Sequence, residues 1–326
     1  MTIERRAFLK GWVVAVALAG AIAAVPAANA AETVRVGKAV PFSWTFTPVD
    51  VGIKLGIFAK HGLDVQVTSF GGDAKMQQAL TASSIDFGLG SGPGMGFMAK
   101  GVPAKAVAAF AGAPKNMGFM VPAGSPARSL DDLKGKKIAV TTVGSLTDWL
   151  AKRLAVQKGW GRDAVTTVPL GGLESTRAAM KTNQVDAVVS SMETGYTLEA
   201  ANEWRVVGSA APLVPAFHTH VIFARNDLVN KQPALVEKFL KGWFETIAFM
   251  KANKDKTVEI SANVLKLDPK IVARTYDEVI GMMSDDGRFD AAAVEVLKES
   301  FIEMGILDSK PANEVMYTTR FVPVKP

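Results

Sequence analysis

The chain has 326 residues, no cysteine and a formal charge of +6. The absence of cysteine excludes disulfides, thiolate catalysis and any Cys-ligated metal. Arg5, Arg6 and Lys10 against Glu4 account for +2 of that charge; the other basic residues are scattered among acidic ones, which argues against a nucleic-acid partner.

Residues 1–30 read as a leader. Arg5, Arg6 and Lys10 precede an apolar run from Trp12 to Val25 that is too short to span a bilayer, and Ala28-Asn29-Ala30 is an A-x-A cleavage site. Glu4-Arg5-Arg6-Ala7-Phe8-Leu9-Lys10 follows a twin-arginine signal, with Glu4 where Ser or Thr is usual. An uncleaved anchor is the alternative. The expectation is a periplasmic protein, cut near Ala30, whose remaining length is long for one domain and suggests two lobes.

Thr33–Val40 alternates as a strand, and a loop carrying Phe42, Trp44 and Phe46 follows. A helix is expected from Val49 to His61, stopping at Gly62, then a strand over Leu63–Phe70. Gly71-Gly72 turns the chain into a helix capped by Asp73. Ile85-Asp86-Phe87-Gly88-Leu89-Gly90-Ser91-Gly92-Pro93 reads as a buried strand, a glycine turn and a helix start with Pro93 in its first turn. Such a junction aims backbone N–H groups at whatever lies above the strand, unless it is an ordinary turn. Gly94-Met95-Gly96-Phe97-Met98-Ala99 fits G-x-G-x-x-A only inside the helix and lacks the acidic residue that a dinucleotide site needs. No P-loop is present either. A strand over Lys105–Phe110 completes the α/β pattern.

From Leu130 the order repeats: strand Lys136–Thr142, turn Val143-Gly144-Ser145, helix Leu146–Lys158, strand Val165–Leu170, Gly171-Gly172, helix Glu174–Thr182, strand Val185–Ser190 and a helix from Glu193. Gly71-Gly72 answers Gly171-Gly172, Ile85-Asp86 answers Val185-Asp186 and Ser91 answers Ser191, all at one spacing. Internal similarity at so long a period predicts two related lobes. Phe119–Pro126, an apolar strand entering a Pro/Gly turn, is the expected first crossing, and Thr219–Ala224 a strand of the second. The expected division is 31–121 for the first lobe, 122–218 for the second, and 219–326 for a helical return to the first.

These pieces together resemble a known family. The helix end Gly56-Ile57-Phe58-Ala59-Lys60-His61-Gly62-Leu63-Asp64-Val65, the Gly71-Gly72 helix, Ile85-Asp86-Phe87-Gly88, the run Leu130–Val140, Gly144-Ser145, Val185-Asp186-Ala187 and Asp286–Asp290 are similar to the exported solute-binding proteins of ABC importers. The group is the sulfonate/nitrate/taurine and THI5/NMT1-like one. The resemblance implies a type II periplasmic-binding fold: two α/β lobes, joined by two crossing segments, closing around a ligand cleft. It implies a monomer that delivers a small-molecule solute to a permease and its ATPase, with no cofactor and no catalysis. The family's pyrimidine synthases depend on a cysteine-rich iron motif that this chain lacks.

Ligands of open α/β sheets sit beyond the carboxyl ends of the strands. On that basis the candidate ligand-binding residues are Ser91 and Gly92 in the first lobe, and Gly144, Ser145, Thr147 and Ser191 in the second. Ser43, Trp44 and Thr45 join them from the loop bordering the cleft. Trp44 is read either as a stacking surface or as a core anchor. Glu193 favours its own helix start or recognises an amine. His218 and His220 are two apart on a strand with no acidic cluster, so no metal is expected; His218 is the candidate contact. Arg177 either neutralises an anion or faces solvent. The expected ligand is a small organic anion, sulfonate or carboxylate, with a thiamine-pyrimidine or related heterocycle as the alternative. Sensing in place of import is a further alternative.

Overall fold

Apolar strands alternating with short helices assemble into two sheets of identical plan. The computed structural model describes residues 31–325, so the expected leader and its cleavage site lie outside the described residues. The first sheet has the order β2-β1-β3-β10-β4, from β1 (Glu32–Lys38), β2 (Leu63–Ser69), β3 (Phe87–Ser91), β4 (Ala104–Ala111) and β10 (His220–Arg225). The second has the order β7-β6-β8-β5-β9, from β5 (Met117–Pro122), β6 (Lys137–Val140), β7 (Thr166–Pro169), β8 (Ala187–Ser191) and β9 (Trp204–Ser209). In each sheet one strand runs against the others: β10 is antiparallel to β3 and β4, and β5 to β8 and β9. Each of these two strands follows directly from the other lobe, so both crossings end in the middle of a sheet.

Helices cover the sheets. The first lobe contributes α1 (Pro48–Lys54), α2 (Ile57–Lys60), α3 (Asp73–Thr81) and α4 (Gly96–Ala99); the second contributes α5 (Leu146–Gln157), α6 (Leu173–Lys181) and α7 (Met192–Ala200). The tail adds α8 (Asn226–Lys231), α9 (Pro233–Ala252), α10 (Lys254–Leu265), α11 (Pro269–Val279), α12 (Ala291–Glu303) and α13 (Asn313–Met316). Because helices lie on both faces, β3 and β8 are buried at every position. One apolar cluster runs without a break from the first sheet to Trp149, Leu150 and Leu154 of α5. A smaller one sits between Met120, Val188, Met180 and Trp204.

Four expectations change. The helix predicted over Val49–His61 breaks at Gly56, whose φ of 70° ends α1 and starts α2. The strand β9 was not expected from its short, half-buried pattern. Met117–Pro122 belongs wholly to the second sheet, paired with β8 and β9, so the first crossing is residues 112–116 and not the Pro/Gly turn after residue 121. Pro122, without an N–H, ends a strand of the second lobe. The tail also serves both lobes. While α9 and α10 pack on α1, α11 and α12 pack on α7 and α5. Glu303 accepts from Trp149 Nε1 at 2.7 Å and pairs with Arg153 at 2.5 Å, and the Tyr196 hydroxyl donates to Glu278 at 2.6 Å.

Candidate functional site

Both sheets point their carboxyl-end strand tips at one cleft, as an open α/β arrangement requires. There the lobes enclose a narrow cavity of about 50 Å³. Phe42, Ser43, Phe46, Asp73, Ser91 and His220 line it from one side. Met117, Thr141, Leu146, Thr147, Ser190 and Ser191 line it from the other. The wall is mostly apolar and aromatic with a few polar groups, the usual make-up of a small-molecule site. Among the described residues no Lys or Arg lines this space. Lys75 stands exposed nearby, its Nζ 3.5 Å from the point a Cβ on Gly71 would occupy.

The lobes meet closely around the cleft. A Cβ on Gly71 would stand 3.5 Å from the Gly171 carbonyl. At Gly72, whose φ is +127°, a Cβ would come within 2.5 Å of Thr142 Cγ2 of the other lobe. A side chain at Gly72 is therefore excluded both by backbone conformation and by the opposing wall.

Two buried carboxylates stand where the lobes meet, and one of them crosses. Asp73, in the first turn of α3, is 4% exposed. It accepts the Ser91 N–H at 2.9 Å and the Ser91 hydroxyl at 2.8 Å, and the Leu146 N–H at the start of α5 adds to the pull on its charge. Burial pushes its carboxyl above the ordinary value against the pull of those donors. Glu193, at the start of α7 and 1% exposed, accepts the Trp44 N–H at 2.6 Å. Desolvation pushes its carboxyl up to about 7, although the Trp44 N–H, its own N–H and the Ser191 hydroxyl oppose the rise.

The aromatic wall centres on His220. Its ring stacks on Phe110 at 5.6 Å and meets Phe46 at 4.7 Å, and burial pushes its imidazole down to about 3. His220 is therefore neutral at ordinary pH. On the second lobe Thr141, Ser145 and Thr147 hold one another in a triangle of hydroxyls at 2.9–3.0 Å.

Of the residues expected at a ligand site, Ser43, Ser91, Thr147 and Ser191 line the cleft. The others do not. Trp44 turns its ring into the core, edge-on to Tyr276 at 5.9 Å, so it anchors the loop. Thr45 is fully buried and bonded to Ser43. Gly92 packs against the His218 carbonyl and donates to Thr219 at 3.1 Å. Gly144 donates to Asp148 at 3.0 Å under Ile306 and Phe97, and Ser145 caps α5 from below. Glu193 joins the lobes instead of lining the space. His218 accepts the Asp290 N–H at 2.8 Å, outside the cleft, and burial pushes its imidazole down to about 4. The chain reaches extended pairing only at His220, so the two histidines do not share the face expected of them. Arg177 is taken by Glu203 at 2.5 Å and Glu174 at 3.1 Å.

The backbone N–H groups expected to converge on an anion are thus already occupied. The two junctions do face each other, with Asp73 between them. Asp73, Met117, Thr141, Leu146 and His220 line the cleft without having been expected there. Asp73 was read only as a helix cap, although an acid just beyond a strand tip in an open sheet was a usable signal. His220 was passed over for its neighbour. Among the described residues no group of His, Cys, Asp and Glu could hold a metal, and no helix is long and apolar enough to cross a membrane.

Comparison with known proteins agrees with the fold. A protein of Brucella abortus, provisionally named a binding protein, is 27% identical over 291 aligned residues, covering 82% of this chain and 80% of its own. A Bacillus subtilis protein provisionally named an aliphatic sulfonates-binding protein is 26% identical over 233 residues, covering 70% and 69%. The alkanesulfonate-binding protein SsuA of Xanthomonas axonopodis pv. citri superimposes with a TM-score of 0.74 at 18% identity, over 88% of this chain and 98% of that one. The periplasmic nitrate-binding protein NrtA of Synechocystis gives 0.71 at 15% identity, over 89% and 87%. These relatives are named as binding proteins and not as enzymes. The family model described as NMT1/THI5 like matches residues 43–257, and the chain belongs to that family.

Proposed function

We propose that the protein is the exported solute-binding subunit of an ABC importer, capturing a small solute between its lobes for delivery to a permease and its ATPase. The observation that carries this reading is the single cleft lined from both sheets, where a solute would be held by both lobes at once. Ser43, Ser91, Thr147 and Ser191 are its proposed polar contacts, and Phe42, Phe46 and His220 its proposed apolar wall. A flat, uncharged heterocycle of the aminopyrimidine type suits a neutral aromatic wall without basic side chains. A sulfonate or carboxylate is the second reading, favoured by the hydroxyls of Thr141 and Thr147 and by what the Bacillus and Xanthomonas proteins are named for.

A thermal-shift screen of the protein from Ala31 onward against aminopyrimidines, sulfonates and carboxylates tests it. A binder should raise Tm progressively with its concentration, following mass action. A flat response to every class would remove the solute-binding reading. Export is tested separately: with Arg5 and Arg6 both replaced by Lys, twin-arginine export predicts that the protein stays in the cytoplasmic fraction.

A further inference from the structure

Two buried carboxylates hold backbone N–H groups at the edge of the cleft. Asp73 of the first lobe takes the Ser91 N–H of its own lobe, and Glu193 of the second crosses to take the Trp44 N–H of the first. Asp73 also lines the enclosed space. It consumes both donors of Ser91, its N–H and its hydroxyl, leaving that side chain only lone pairs to offer a solute. The Thr141 N–H is bonded to Thr147 at 2.9 Å, and among the described residues no Lys or Arg contributes to the wall.

We propose that Asp73 sets the charge selectivity of the cleft: its carboxylate occupies the donors an anion would need, so the closed site admits uncharged or amine-bearing solutes and rejects anions. The inference rests on the cleft being the solute site. An anion entering beside Asp73 would meet a like charge in a desolvated space and find its natural N–H partners taken. A solute carrying an N–H group would find an acceptor instead, since a carboxylate can accept more bonds than the two it holds. Leu173 holds the matching place in the second lobe, so the acid belongs to one half of the repeat only.

The test measures binding of two probes, ethanesulfonate and 4-aminopyrimidine, by calorimetry to the wild type, Asp73→Asn and Asp73→Ser. Wild type should prefer 4-aminopyrimidine. Both variants should gain affinity for ethanesulfonate by about tenfold or more once the like charge is gone. Wild-type protein that binds ethanesulfonate more tightly than 4-aminopyrimidine overturns the proposal without any variant, and so does a folded variant with no gain for the sulfonate. If the wild type binds neither probe, the variants decide: gain of sulfonate binding supports the proposal and its absence rejects it. The importer reading falls only if no solute class in the wider screen binds.

Discussion

The two lobes share a plan but differ in how deeply they secure it. Asp86 and Asp186 stand at matching points of the repeat and perform the same act. Asp86 accepts the Arg35 N–H at 2.8 Å, and Asp186 accepts the Lys137 N–H at 2.8 Å, each pinning its strand to the neighbouring one. Ser83 and Asn183 close the preceding helices with the same φ of 55°. Around Asp86, however, the first lobe adds Arg35 at 2.7 Å and Arg225 at 3.2 Å and buries the carboxylate with Arg225, whereas Asp186 is exposed. Desolvation alone would raise the Asp86 carboxyl; the Arg35 hydrogen bonds and the two guanidinium charges hold it below its ordinary value. The repeat has kept the backbone device and varied what surrounds it.

That contrast predicts unequal losses. Asp86→Ala should cost about 3 kcal/mol, because it strands two guanidinium groups, one of them largely buried. Asp186→Ala should cost only about 1 kcal/mol, the worth of an exposed hydrogen bond. Urea unfolding at neutral pH measures both, and equal losses would mean the arginines add nothing.

The carboxylate that crosses between lobes gives a pH signature. The Glu193 carboxyl sits near 7 in the fold against 4.5 unfolded, so the folded protein binds more protons in that window. Stability from this group is full below about pH 4.5 and lost as pH rises through about 7, by at most about 3 kcal/mol. Glu193→Gln should abolish that slope. His218 and His220 act in the opposite sense, since both are neutral when folded and their contribution is lost as pH falls below 6.5. They are common to both proteins, so the difference in Tm between variant and wild type across pH 5–7.5 isolates Glu193.

A subtler intervention targets the contact between the lobes. Gly72→Val should leave each sheet intact yet hold the lobes apart against Thr142, seen as a larger radius of gyration in scattering and weaker binding of any confirmed solute. An unchanged radius would show that the turn yields.

Much of this fold was legible because strand tips and glycine turns recur at one spacing in the chain. Ser91 and Ser191 lie at strand tips that border the cleft, where the rule for open sheets directs attention. What sequence could not show was where each donor's bond goes. Gly92, Gly144 and Ser145 have the residue types of an anion cradle, but their N–H and hydroxyl groups are spent on Thr219, Asp148 and neighbouring hydroxyls. Trp44 was ambiguous because an aromatic on a turn serves either cleft or core, and only the position of Tyr276 on a distant helix decides it. The strand Met117–Pro122 was misassigned for a related reason: its apolar run shows that it is buried, and not in which sheet.

The placement of β10 has a consequence for synthesis. All five strands of the second lobe lie in one uninterrupted stretch from Met117 to Ser209, so that half can finish its sheet as soon as this stretch leaves the ribosome. The first lobe is begun earlier but completed later. Until His220–Arg225 is made, its fourth strand has nothing to pair with on its inner side, and the nascent chain carries an open seam through the oldest part of the molecule.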